Sequence, residues 1–179
     1  MRTSLSIMVL MILAGSLRAD VTSGPKEGEK VAALPVNSVT GDPKDKDVDY
    51  AAARKDKPTV YIFVQNEKWD RPMFRFIKKL DDALPEVNEA AILVAVWLTE
   101  KPDDAKEYLP KISQYFKGTS LTVFTGEKAG PKDWGINADA HVTAVVVTQG
   151  KVVASFGYQS VNETDAAAVR DALKKALKK

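Results

Sequence analysis

The run Pro58-Thr59-Val60-Tyr61-Ile62-Phe63-Val64, followed by Trp69-Asp70-Arg71-Pro72-Met73-Phe74, decides how this chain folds. Thr59 to Val64 is β-branched and aromatic throughout, of strand length, and apolar enough to be buried on both faces. Beyond it Met73, Phe74, Phe76, Ile77, Leu80 and Leu84 recur at helical spacing. Pro72 falls in the first turn of that helix, where its missing N–H costs least, and Pro85 is read as its end.

Working outward, Ala91 to Leu98 is a second buried strand. Pro102-Asp103-Asp104 opens another helix with acids at its positive end, and Pro110 is expected to interrupt it before Tyr115 and Phe116. Leu121 to Phe124 makes a short strand. Val142 to Thr148 and Lys151 to Phe156 flank Gln149-Gly150 as a hairpin. Ser160-Val161-Asn162-Glu163 fits a capping box ahead of a terminal helix faced by Val169, Ala172, Leu173, Ala176 and Leu177. Upstream, Leu34 to Val39 is a short strand, and Gly41 to Asp49, alternating Asp and Lys around Pro43, reads as a solvated loop. Strands alternating with helices imply an α/β fold, a central sheet covered on both faces.

The N-terminus carries a different signal. Arg2 precedes the unbroken apolar run Ile7 to Leu13 and the small residues Ala14-Gly15-Ser16. The run is too short to span a bilayer, and residues 1–19 read as a cleavable secretory signal, cut after Ala19 or after Ser16. Leu13-Ala14-Gly15-Ser16 resembles a bacterial lipoprotein box with Ser where the lipidated Cys should stand, so no stable membrane anchor is expected after cleavage. The expected location is secreted or periplasmic. Residues 20–33 are polar, with Gly24, Pro25 and Gly28, and are expected to form a flexible leader to a single domain over residues 34–179.

Composition removes several kinds of chemistry. The 179 residues include one His and no Cys, which excludes thiol catalysis, disulfides, thiolate zinc sites and iron–sulfur clusters within this chain. A lone His leaves no material for a multi-histidine metal site, so neither metal nor cofactor is expected. There are 26 basic and 24 acidic residues. Removing residues 1–19 takes away Arg2 and Arg18, leaving 26 − 2 = 24 basic against 24 acidic. That balance argues against nucleic-acid binding. The neighbours Asp81-Asp82 and Asp103-Asp104 point away from each other on a helix and make no acid–base or metal constellation.

Three stretches resemble the thioredoxin-like superfamily, in particular its redoxin branch exported by bacteria, over roughly residues 35–178. Lys57-Pro58 and the buried strand look like the entry to the family's first core strand. Trp69-Asp70-Arg71-Pro72-Met73 sits where the family has Trp-Cys-x-Pro-Cys. Trp134-Gly135-Ile136, then His141-Val142-Thr143 and the hairpin, resembles the stretch holding the family's cis-proline. The resemblance implies a three-layer α/β/α sandwich with a mixed central sheet and an N-terminal extension. It also implies what is missing. Asp70 replaces the first Cys; a carboxylate there can cap the helix but cannot exchange disulfides. Met73 replaces the resolving Cys with a thioether that packs. Val142 replaces the cis-proline, and because a non-proline cis bond costs about 2.5–4 kcal/mol, a trans peptide is expected.

The favoured reading is an exported, redox-inactive thioredoxin-fold protein that works as a binding or accessory domain. The former active-site edge, Trp69, Asp70, Arg71, Pro72, Met73, His141 and Val142, would be its contact surface, with another envelope or secreted protein as partner. No residue is assigned as catalytic. The alternatives are a cysteine-independent enzyme using an Asp70/His141 acid–base pair, or a redox-related role supplied by a partner. The pair lacks a recognisable nucleophile. Trp69 reads as a lid over the motif or as a stacking platform.

Overall fold

The computed structural model describes residues 21–178, and the expected signal segment, residues 1–19, lies outside them. Seven strands form one sheet: β1 (Pro35–Ser38), β2 (Lys46–Asp49), β3 (Thr59–Gln65), β4 (Ile92–Leu98), β5 (Ser120–Val123), β6 (Val142–Thr148) and β7 (Lys151–Tyr158). Their order is β2-β1-β5-β4-β3-β6-β7. β3, β4 and β5 run parallel, and every other pairing is antiparallel. The sheet is therefore mixed. β3 lies inside it, which is why its sequence is apolar from Val60 to Val64 rather than alternating.

Among the described residues four helices accompany the sheet: α1 (Tyr50–Arg54), α2 (Arg71–Val87), α3 (Pro102–Ser113) and α4 (Ala166–Ala176). Successive strand side chains point to opposite faces, and β3 divides accordingly. Val60, Ile62 and Val64 join one core with Phe76 and Leu80 of α2, Leu109 of α3 and Leu173 of α4. Tyr61 and Phe63 join the other with Tyr50 and Ala51 of α1, Leu34 and Trp134. The long helices thus share one face. The opposite layer is thinner, made of α1, a 3-10 turn at Lys132–Trp134 and the N-terminal segment.

Several local readings need correction. The charged stretch Gly41–Asp49 is not all loop: its second half is β2, paired with β1 from Pro35↔Asp49 to Ser38↔Lys46. Pro85 does not end α2, and Pro110 does not interrupt α3; each sits in a closing turn, where one absent N–H removes a single bond. Ser160 does not cap α4. Asn162 Oδ1 instead accepts from Thr164 N and Oγ1, and Asp165 Oδ2 accepts from Asn162 N, so a turn of Asn and Asp side chains precedes the helix.

The leader also departs from the flexible reading. Val21 bridges Gly157, and Lys30 bridges Lys151. Gly24 N–H donates to Gly135 O at 3.0 Å, and Gly28 N–H to Val152 O at 2.9 Å. Ser23 Oγ and Thr143 Oγ1 are bonded at 2.6 Å in a buried setting. Polar residues suggested solvent exposure; their backbone groups are instead satisfied by the sheet.

Candidate functional site

The carboxyl end of β3 delivers the chain, through a 3-10 turn at Asn66–Lys68, to the start of α2. Asp70 sits at that junction with extended backbone, and its Oδ1 accepts Met73 N–H at 2.9 Å. This is an N-cap: a short carboxylate satisfies one of the helix's unpaired donors and meets the positive end of its dipole. Arg71 and Pro72 occupy the first turn and are exposed, whereas Met73 turns inward and is buried against Phe76 and Ile77 in the main core.

Trp69 is half-buried. Its ring meets Trp97 of β4 at 5.0 Å in a tilted edge arrangement and Phe74 at 6.3 Å, and its indole N–H donates to the Tyr108 hydroxyl at 2.9 Å. Trp97 is fully buried, and its indole N–H has no hydrogen-bond acceptor among the described residues. The aromatic contacts continue across the surface: Phe74 packs on Tyr115 at 5.7 Å and on Phe116 at 5.4 Å. Tyr108 and Tyr115 are 37% and 54% exposed. Trp69 therefore covers Trp97 and forms one end of an exposed aromatic band.

His141 and Val142 lie at the start of β6. His141 N–H donates to Tyr158 O at 2.8 Å, and its carbonyl accepts Gln65 N–H at 3.0 Å, so the backbone is locked beside the end of β3. Val142 is buried and pairs with Val64 and Tyr158. The peptide before it is trans, the Asp42–Pro43 bond being the cis peptide among the described residues. The topology brings both Trp69–Met73 and His141–Val142 to one end of the sheet. It does not join Asp70 to His141: no hydrogen bond or ion pair links them, and the Asp70 carboxylate is engaged by its own helix. The acid–base arrangement has no geometric support.

Two cavities lie elsewhere. One, of about 1370 Å³, runs between the leader, β7 and α4. The other, of about 470 Å³, is at the opposite end of the sheet, near Arg54 and Ser120. Among the described residues no group of His, Asp and Glu is arranged to hold a metal ion.

Loops at the candidate edge are linked by charge. Lys128 Nζ reaches Glu100 Oε1 at 2.8 Å and Glu67 Oε1 at 3.6 Å, bridging the loops that follow β3, β4 and β5. The hydrogen bond to Lys128 holds the Glu100 carboxyl below its ordinary range, and the same bond raises the lysine. All three groups are exposed, so this ion pair orients loops more than it stabilises them.

Sequence reasoning missed two features. Tyr108 was not singled out, although it falls beside Ala105, Leu109 and Ile112, whose spacing leaves it on the outer face of α3. Asp81 reads in the sequence as one of an adjacent acid pair. It is only 3% exposed and accepts Lys117 N–H at 2.7 Å, Gly118 N–H at 3.0 Å and Thr119 Oγ1–H at 2.7 Å. Its partners lie more than thirty residues away, and no local pattern announces them.

No family model matches the chain, and no curated protein matches it by sequence. Solved structures do match in shape. The peroxidoxin BcpB of Mycobacterium tuberculosis superposes with a TM-score of 0.61 at 16% identity, covering 84% of this chain and 97% of that one. Reduced Prx3 of Vibrio vulnificus gives 0.62 at 12% identity, covering 84% and 99%. The exposed lipoprotein thioredoxin Etrx1 of Streptococcus pneumoniae gives 0.56 at 16% identity, covering 80% and 99%. The architecture is thus that of an α/β sandwich with a helix N-terminus abutting the end of its central strand. Specifically, this chain has the thioredoxin-like fold, and it carries no cysteine.

Proposed function

We propose that this is an exported, redox-inactive thioredoxin-fold protein that acts by binding another envelope or secreted protein through the edge where a redox motif would sit. The observation that carries the reading is the exposed aromatic band: Trp69, hydrogen-bonded to Tyr108, continues through Phe74 to Tyr115 beside the capped start of α2. Aromatic side chains with polar tips are over-represented where proteins dock, because they give large contact area at low entropic cost. The absence of any thiol in the chain supports redox inactivity. The stretch from Arg2 to Ser16 supports export.

The test is a comparative capture from an envelope extract using the mature chain. Wild type and a variant changed on a distant face should retain the same partner. Trp69→Ala and Tyr108→Ser should lose it. Partner retention by both edge variants, or turnover of insulin disulfides by the purified chain, would overturn the reading. N-terminal sequencing of the exported protein checks the cut after Ala19 or Ser16.

A further inference from the structure

The cavity at the far end of the sheet from Trp69 is lined by donors of which the fold uses only a part. It is lined by Thr40, Gly41 and Asp42 after β1, by Arg54 at the end of α1, and by Lys117 to Ser120 entering β5. Arg54 Nε donates to Thr59 Oγ1, and its Nη2 donates to the carbonyls of Pro58 and Ala90. A guanidinium has five N–H donors, and the two on Nη1 remain. Among the described residues no carboxylate pairs with it; burial opposes its charge, and Tyr61 and Tyr50 act in the other direction.

Ser120 is only 4% exposed, and its hydroxyl makes no hydrogen bond among the described residues. The N–H groups of Gly41 and Asp42 donate to no acceptor among the described residues either. Gly41 has φ +100°, and a Cβ there would come within 2.5 Å of Ser120 Oγ, so the close approach of these two segments requires glycine. These groups face the cavity, where a bound acceptor can take their hydrogen bonds in place of solvent.

We propose that this cavity binds a tetrahedral oxyanion, a phosphate or sulfate group, held by Arg54, the Ser120 hydroxyl and the Gly41 and Asp42 amides. Donors arrive from three separate chain segments, which suits a tetrahedral group better than a planar carboxylate. The guanidinium supplies charge in a forked geometry that matches phosphate oxygens. At about 470 Å³ the cavity is larger than the ion alone, leaving room for the remainder of a small ester. The Lys117 ammonium at the rim is engaged by Asp82 at 2.9 Å. The Asp42 carboxylate at the same rim opposes an anion. The site is independent of the proposed binding edge.

The experiment is an amide-resolved NMR titration of the mature chain with sodium phosphate, sodium sulfate, sodium acetate and glycerol phosphate at constant ionic strength. Saturable shifts centred on Gly41, Asp42 and Ser120 are expected with phosphate and sulfate and not with acetate. Tighter binding of glycerol phosphate than of inorganic phosphate would assign the extra volume to an ester, and equal binding would assign the site to the free ion. Arg54→Lys should weaken phosphate by about tenfold. Because Arg54 also ties down Pro58 and Ala90, two milder changes guard against a merely structural loss: Ser120→Ala should weaken binding severalfold, and Asp42→Asn should tighten it. Shifts that never saturate, that acetate reproduces, or that Asp42→Asn leaves unchanged would overturn the proposal.

Discussion

Thr119 gives its hydroxyl proton to Asp81 Oδ1 across 2.7 Å, fastening the middle of α2 to the turn that enters β5. The same carboxylate takes the N–H groups of Lys117 and Gly118, so one buried side chain satisfies three donors. Asp81→Ala would remove an acceptor that serves all three, leave the buried Thr119 hydroxyl without its partner, and cut the tie between α2 and β5. The expected loss is about 3 kcal/mol or more in urea unfolding, and Asp81→Asn should cost less because it keeps one acceptor. A loss of only a few tenths for the alanine variant would contradict the clamp.

Asp82, next along α2, faces outward and meets Lys78 and Lys117. Their hydrogen bonds, Lys78 first, lower its carboxyl below the ordinary value. A carboxyl depressed in the folded state adds stability above its unfolded value near 4, and that share is lost as pH falls through the folded one. The pair is substantially exposed, so the share is about 0.5 kcal/mol. Comparing Asp82→Asn with wild type at pH 7 and at pH 2 should show that difference at the higher pH and none at the lower.

Asp70 caps α2 where a nucleophilic thiol would be acidified. The double variant Asp70→Cys with Met73→Cys should place one thiol at the helix N-terminus and a second one turn on. Its alkylation by iodoacetamide should titrate between about pH 3.5 and 7.5, below a free cysteine near 8.5. A profile centred on the free value would mean that this helix end does not favour an anion. Asp70→Ala alone should cost about 1 kcal/mol through loss of the cap.

Gly157 lies against the leader. A Cβ there would meet Val21 O at 2.4 Å and Ser23 Cβ at 2.7 Å. Gly157→Ala should therefore lift residues 21–24 away while β6 and β7 stay paired. Hydrogen exchange should speed up at Val21 and Gly24 and remain slow at Val145. Uniform acceleration through β6 would mean that the leader and the sheet form one cooperative unit.

Much of the frame was legible because burial writes itself into periodicity. β3 and β4 lie inside the sheet, so Val60–Val64 and Leu93–Leu98 are apolar without a break. Of the stripe from Met73 to Leu84, Met73, Phe76, Ile77, Leu80 and Leu84 face the core, whereas Phe74 packs outside it on Tyr115 and Phe116. β2 was hidden because it is an edge strand, and Lys46–Asp49 reads like any solvated charge run. The Asp70 cap was legible from its place before Pro72. Tyr108 and Asp81 were not, since each is defined by a partner brought close only by the fold.

The leader has one more consequence. β7 is the last strand of the sheet, and its outer rail of peptide groups would otherwise be a template on which a second chain could lay a strand. Residues 21–31 occupy both ends of that rail, with Ser155 Oγ bonded to Pro25 O between them. A protease cut just after Lys30 would leave the core intact and uncover the rail. The clipped protein would keep its shape and acquire an appetite for its own kind.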